Sequence, residues 1–114
     1  MENTEIKEDK LQEVTIDLNA ASKGKLDESW LTMFGSGIQM ILKKMFGGST
    51  IPVAVKGTRS QIDSFAKTIG REKKYMDTYL KHGLDNPRTY KSRYRLDQAV
   101  NKFERATGIK WPFK

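Results

Sequence analysis

The chain has no cysteine and only one histidine, His82, among 114 residues. That excludes a disulfide framework, a thiol nucleophile and thiolate metal sites, and it leaves a histidine-rich metal centre without ligands. The lack of cysteine fits a reducing compartment. No stretch approaches the roughly 18 uninterrupted apolar residues of a membrane span. The opening Met1-Glu2-Asn3-Thr4-Glu5 is acidic and polar rather than a signal peptide, so a soluble, cytoplasmic protein is expected. Also missing is any pair of carboxylates set apart in apolar surroundings, the arrangement that tunes acid and base roles, since Asp and Glu stand mostly beside Lys or Arg. His82 falls at a predicted helix end, where it complements the dipole. The pattern of glycines followed by Lys-Ser/Thr is absent: Gly35-Ser36-Gly37 lies inside a predicted helix, and Lys56-Gly57-Thr58-Arg59 is a simple strand-to-helix turn. The chain therefore reads as non-enzymatic and without a cofactor.

What is abundant is positive charge, and it is unevenly placed. Residues 1–50 carry 6 Lys/Arg against 8 Asp/Glu, whereas residues 51–114 carry 15 against 6, within a total net charge of +7. A basic half points to a polyanionic partner: DNA, RNA, an acidic protein face or an anionic surface.

Residues 1–12 have too few apolar side chains to offset the entropy of ordering and read as a flexible arm, followed by a single domain over 13–114. Val14, Ile16 and Leu18 alternate with polar residues, the period of a half-buried strand. Asp27 caps a helix whose apolar positions Trp30, Phe34, Ile38, Ile41, Leu42 and Met45 recur at three- and four-residue steps up to Gly47-Gly48. Ile51, Val53 and Val55 form a second strand, with Pro52 favouring an edge or a strand start. Thr58 and Gln61 have capping-box spacing and open a long helix with Ile62, Phe65, Ala66, Ile69, Met76 and Leu80 inward. Asn86-Pro87 marks a turn, and a third helix is expected from about Ser92, with Leu96, Ala99, Val100 and Phe103 inward. Gly83-Leu84 and Gly108-Ile109 are expected to close the two helices alike, each with an apolar contact after the glycine. The fold class is α+β in the order β-α-β-α-α, a small sheet against three helices. Two strands alone are marginal, so a third strand or completion by oligomerisation is expected.

Three candidate surfaces follow. Arg88, Tyr90, Lys91, Arg93, Tyr94 and Arg95 form a basic-aromatic run with no carboxylate. At a helix start it suits phosphate and, through its tyrosines, unpaired bases; the alternative is that the tyrosines pack on the preceding helix. Arg71, Lys73 and Lys74, with Lys81, extend the charge along the second helix, although Glu72 and Asp77 interrupt it. On the first helix Leu31, Met33, Met40 and Phe46 fall outside the stripe to which Trp30 and Phe34 belong. More than one face is thus apolar, and self-association through these six residues is expected. A membrane-surface role fits Lys43 and Lys44 but not Asp27 and Glu28. Trp111-Pro112-Phe113 is too apolar for an idle tail and is expected to join the core against the third helix.

Two strings, Val55-Lys56-Gly57-Thr58-Arg59-Ser60-Gln61 and Phe103-Glu104-Arg105-Ala106-Thr107-Gly108-Ile109-Lys110-Trp111-Pro112-Phe113, resemble small proteins encoded by tailed bacteriophages, over residues 51–114. The resemblance implies virion components, assembly factors and DNA-handling proteins as the relevant classes, in the host cytoplasm or the virion, and it carries over no site residues. The sequence thus predicts a structural or assembly protein that self-associates through its first helix and presents a basic half to acidic protein or DNA. The alternative is a nucleic-acid-binding module using residues 88–95.

Overall fold

The computed structural model describes residues 13–24, 26–48 and 51–113; the expected arm at 1–12 lies outside them. Its elements are β1 (Val14–Asp17), α1 (Glu28–Phe46), β2 (Val53–Lys56), α2 (Arg59–His82) and α3 (Pro87–Thr107), the predicted α+β order. Leu18 leaves the β1 ladder because the Asp17 side chain accepts from the Asn19 amide at 2.9 Å and starts a short 3-10 turn, Leu18–Ala20. Leu18 is nonetheless fully buried.

The two strands pair in parallel, Val14 opposite Val53 through Asp17 opposite Lys56. A parallel pair requires a long crossover, which α1 supplies. No third strand joins them among the described residues; instead β1 is covered directly by α1. Gly37 permits the approach, since a β-carbon there would stand 3.1 Å from Val14 Cγ1 and 3.2 Å from Ile16 Cδ1. Gly70 is the opposite case: its missing β-carbon would meet nothing within 4 Å, and α2 runs through it at a cost of up to about 1 kcal/mol relative to alanine.

The caps form as the sequence predicts. Asp27 Oδ1 accepts from the Trp30 amide at 2.8 Å, and Thr58 and Gln61 exchange both bonds of a capping box at 2.9 and 3.1 Å. α3 starts earlier than expected. Asn86 caps it, accepting the Arg88 amide at 2.9 Å, and Pro87 fills the first helical position, where its fixed φ and missing N–H carry no penalty. The two helix ends also differ. Gly108 is left-handed and places Ile109 in the core, whereas Gly83, also at positive φ but with ψ at 166°, leaves Leu84 exposed. The Gly83 carbonyl is taken instead by the buried Thr89 hydroxyl at 2.6 Å.

α2 and α3 form an antiparallel hairpin along a seam of small polar side chains. Thr68 Oγ1 donates to Ser64 O at 2.7 Å and Ala99 O at 3.2 Å, and the Thr78 and Ser92 hydroxyls meet at 3.1 Å. The inward face of α2 is therefore rotated from the predicted stripe. Phe65 and Ile69 are buried as expected and Met76 is half-buried, but Ala66 is exposed and Leu80 is 69 % exposed, while Thr68, Glu72 and Thr78 are buried.

Three helices and the C-terminal segment meet at Trp111, which is 3 % exposed. Its ring stands edge-on to Phe103 at 5.3 Å and near Phe65 at 6.2 Å and Phe34 at 6.4 Å. Its indole N–H donates to the buried Glu72 carboxylate and its amide to Glu104, each at 2.9 Å. Trp111 thus lies in the core against α3, as expected; Phe113 remains partly exposed.

Burial pushes the Glu72 carboxyl above the usual carboxylate range, and the Trp111 hydrogen bond opposes this more weakly. A carboxyl raised in the folded state holds a proton that the unfolded chain has already released. Its contribution to stability is therefore greatest at acid pH and falls as pH rises from the ordinary value, near 4.3, through the raised one. Glu72→Gln keeps an acceptor for Trp111 and is expected to equal or exceed the native stability at pH 7, with the difference closing in acid. Glu72→Leu strands the indole N–H and is expected to cost about 1–3 kcal/mol. Urea unfolding of both variants across pH checks the order.

Candidate functional site

The first helical position at Pro87 sets how the basic run is displayed. Residues 88–95 cover two turns and point around the whole helix. Counting from Arg88 in steps of three and four gives Arg88, Lys91, Arg95, Gln98, Lys102 and Arg105 along one edge of α3. On α2 the same spacing aligns Lys67, Arg71 and Lys74. The hairpin lays these edges side by side and encloses a groove of about 320 Å³, whose walls include Lys67 and Arg71 from α2 and Arg95, Lys102 and Arg105 from α3. Among the described residues no carboxylate lines it. The groove shares Lys67, Ala99, Lys102 and Arg105 with a second cavity of about 470 Å³, also lined by Ser64, where Asp63 is the one acid among the described residues. Among the described residues the ion pair that forms is Lys73 with Asp77, so none of the five groove cations is paired with a carboxylate.

Of the residues singled out in the sequence, Arg71 and Arg95 meet in this groove, and Lys74, Arg88 and Lys91 prolong its two edges. Three others leave it. Lys73 contacts Asp77 at 2.8 Å and lies over the Phe46 ring at 5.2 Å. Arg93 turns to the opposite side of α3, beside Glu72, Asp97 and Trp111. The Tyr90 hydroxyl donates to Asp85 at 3.4 Å. The tyrosines do not pack on α2: Tyr90 is 57 % and Tyr94 63 % exposed, and the Tyr94 hydroxyl accepts from Gln98 Nε2 at 2.9 Å. The amides expected to meet phosphate at the start of α3 are engaged within the chain: that of Arg88 donates to the Asn86 side chain and those of Thr89 and Tyr90 to the Asn86 carbonyl. Lys67, Lys102 and Arg105 were not singled out in the sequence; their signal was the three- and four-residue spacing, which crosses the boundaries of the run.

The expected self-association face changes as well. Phe34 is 4 % exposed and sits at the centre of the core, with Phe103 parallel to it at 6.2 Å. Trp30 stacks on Phe34 at 5.2 Å, and Met40 is half-buried against the core. Both are committed within the chain, which leaves Leu31, Met33 and Phe46 exposed. No helix among the described residues is long and apolar enough to cross a membrane.

Comparisons with protein-family models, curated proteins and solved structures find no match to this chain.

Five like charges lining one groove oppose folding, and salt screens that opposition. Lys102→Glu places a carboxylate between Lys67 and Arg105 and is expected to leave stability unchanged or raise it by a few tenths of a kcal/mol, as exposed pairs do. The native protein is expected to gain thermal stability from added sodium chloride, and the variant less. Thermal melts across a salt series test both.

Proposed function

We propose that the protein is a non-enzymatic assembly protein that holds nucleic acid by its phosphate backbone along the α2–α3 groove, in keeping with the phage classes that its second half resembles. One observation carries this: five cations from two helices converge on a groove that no carboxylate of the described residues lines. Guanidinium and ammonium groups on facing walls neutralise successive phosphates and release their counterions, contacts that carry no sequence information themselves. Affinity is then salt-dependent and tolerant of sequence. An acidic protein face is the competing occupant, and displacement of oligonucleotide by excess polyglutamate at a matched charge concentration would favour it.

Replacing Lys67, Arg71, Arg95 and Lys102 together with glutamine is expected to weaken binding at least tenfold at low salt and to flatten the slope of log affinity against log salt by about 0.7–0.9 for each phosphate contact removed. Glutamine at Lys73 and Arg93, on other faces, is expected to leave affinity and slope unchanged. Equal losses from both sets would show that net charge and not the groove binds.

Self-association remains a second reading, moved from the whole of α1 to one channel. Leu42 and Phe46 of α1, Met76 and Tyr79 of α2, and Phe113 line an apolar cavity of about 420 Å³ that opens to solvent. A second copy would cover it. Light scattering is expected to show a defined oligomer that Phe46→Asp dissociates; a monomer at all concentrations removes this reading.

A further inference from the structure

Resting on the phosphate-binding reading, we infer that the nucleic acid held in the groove is single-stranded and that its bases stack on Tyr94. Tyr94 adjoins the groove through Gln98. Its hydroxyl is fixed by Gln98 Nε2 at 2.9 Å, and Gln98 is itself part of the wall beside Arg95 and Lys102. A ring 63 % exposed, pinned at its far end, presents a face in a defined pose next to the cations that hold phosphate. Tyr90, four residues earlier, is unsuited to this role because its hydroxyl is bound to the Asp85 carboxylate, which repels a backbone.

The shape of the site favours one strand over two. α2 and α3 run side by side, with hydroxyl contacts from Thr68 to Ala99 and from Thr78 to Ser92 across their seam, which sets a spacing of about 8–10 Å between axes. The major groove of a duplex, about 12 Å wide, admits one helix and not a hairpin of two. A duplex therefore meets only the lips of the groove. One backbone, by contrast, can lie along it between the α2 and α3 cations for the roughly 21 Å from Lys91 to Arg105, and its unpaired bases then reach Tyr94. Stacking tolerates any sequence because every base has a π-face.

The test is fluorescence anisotropy of the full chain with labelled oligothymidine, oligouridine and a mixed-sequence duplex of the same length, at fixed low salt. Tighter binding of either single strand than of the duplex is expected. Tyr94→Ala is expected to weaken single-strand binding roughly tenfold while leaving duplex binding within about twofold, and Tyr94→Phe, which keeps the ring, to retain most of the affinity. Equal binding of duplex and single strands with no effect of Tyr94→Ala, alongside continued loss in the groove variant, overturns this inference and leaves phosphate binding standing. No binding of any oligonucleotide overturns both.

Discussion

The architecture depends on the anchoring of Trp111. β1 and β2 are two short strands with no third beside them among the described residues, and a pair of that size is marginal in water. α1 covers β1 but makes its main aromatic contacts elsewhere, through Phe34 with Phe65, Phe103 and Trp111. The indole closes this cluster from the C-terminal side, and two carboxylates hold it there, Glu72 from α2 and Glu104 from α3. The strands and α1 are thereby tied to the helical hairpin through an aromatic cluster that this side chain completes. A buried carboxylate is an expensive acceptor; here it satisfies an indole donor that would otherwise be stranded in the core.

The same hairpin creates the groove. Its seam is built from Thr68, Thr78, Ser92 and Ala99, so the helices meet there through small residues, one hydroxyl–carbonyl and one hydroxyl–hydroxyl bond. On one side of the seam the large residues Phe65, Ile69, Val100 and Phe103 face the strands and α1. On the other side no described element covers the hairpin, and the residues flanking the seam are Lys67, Arg71, Arg95, Lys102 and Arg105. Long cationic side chains standing on either side of a narrow seam leave a furrow between them.

How much of this was legible in the sequence follows from what each signal measures. Apolar periodicity placed α1 and its inner residues Phe34, Ile38, Ile41 and Leu42 correctly, and cap chemistry placed the starts of α1 and α2. It failed where burial is not apolar. Thr68, Thr78 and Glu72 are buried by hydrogen bonds, so a stripe drawn through Ala66 and Leu80 was rotated away from the true seam. Starting α3 at about Ser92 put it five residues late, although Asn86 is its cap and Pro87, which fits a helix's first turn, its first residue. That delay hid the register joining Arg88, Lys91 and Arg95 to Lys102 and Arg105. The basic run was visible, but its division among three faces needed the helix start and the position of α2. The paired use of α1 residues was likewise hidden, because periodicity cannot tell which apolar face Phe34 and Trp30 have already satisfied.

The positive character of the groove arises as much from where the acids went as from where the bases are. Residues 51–114 contain six carboxylates against fifteen cations, enough to neutralise any one patch if they gathered there. Instead Glu72 and Glu104 hold Trp111, Asp77 pairs with Lys73, and Asp85 accepts from Tyr90. Asp97 lies on the Arg93 side of α3, and Asp63 touches only the far cavity. Each acid with a structural partner is placed away from the groove by that partnership, and the unpaired cations are left to face one another across the seam. Anchoring the C-terminal segment and keeping the carboxylates of residues 51–114 out of the groove are thus two results of one distribution of charge around the hairpin.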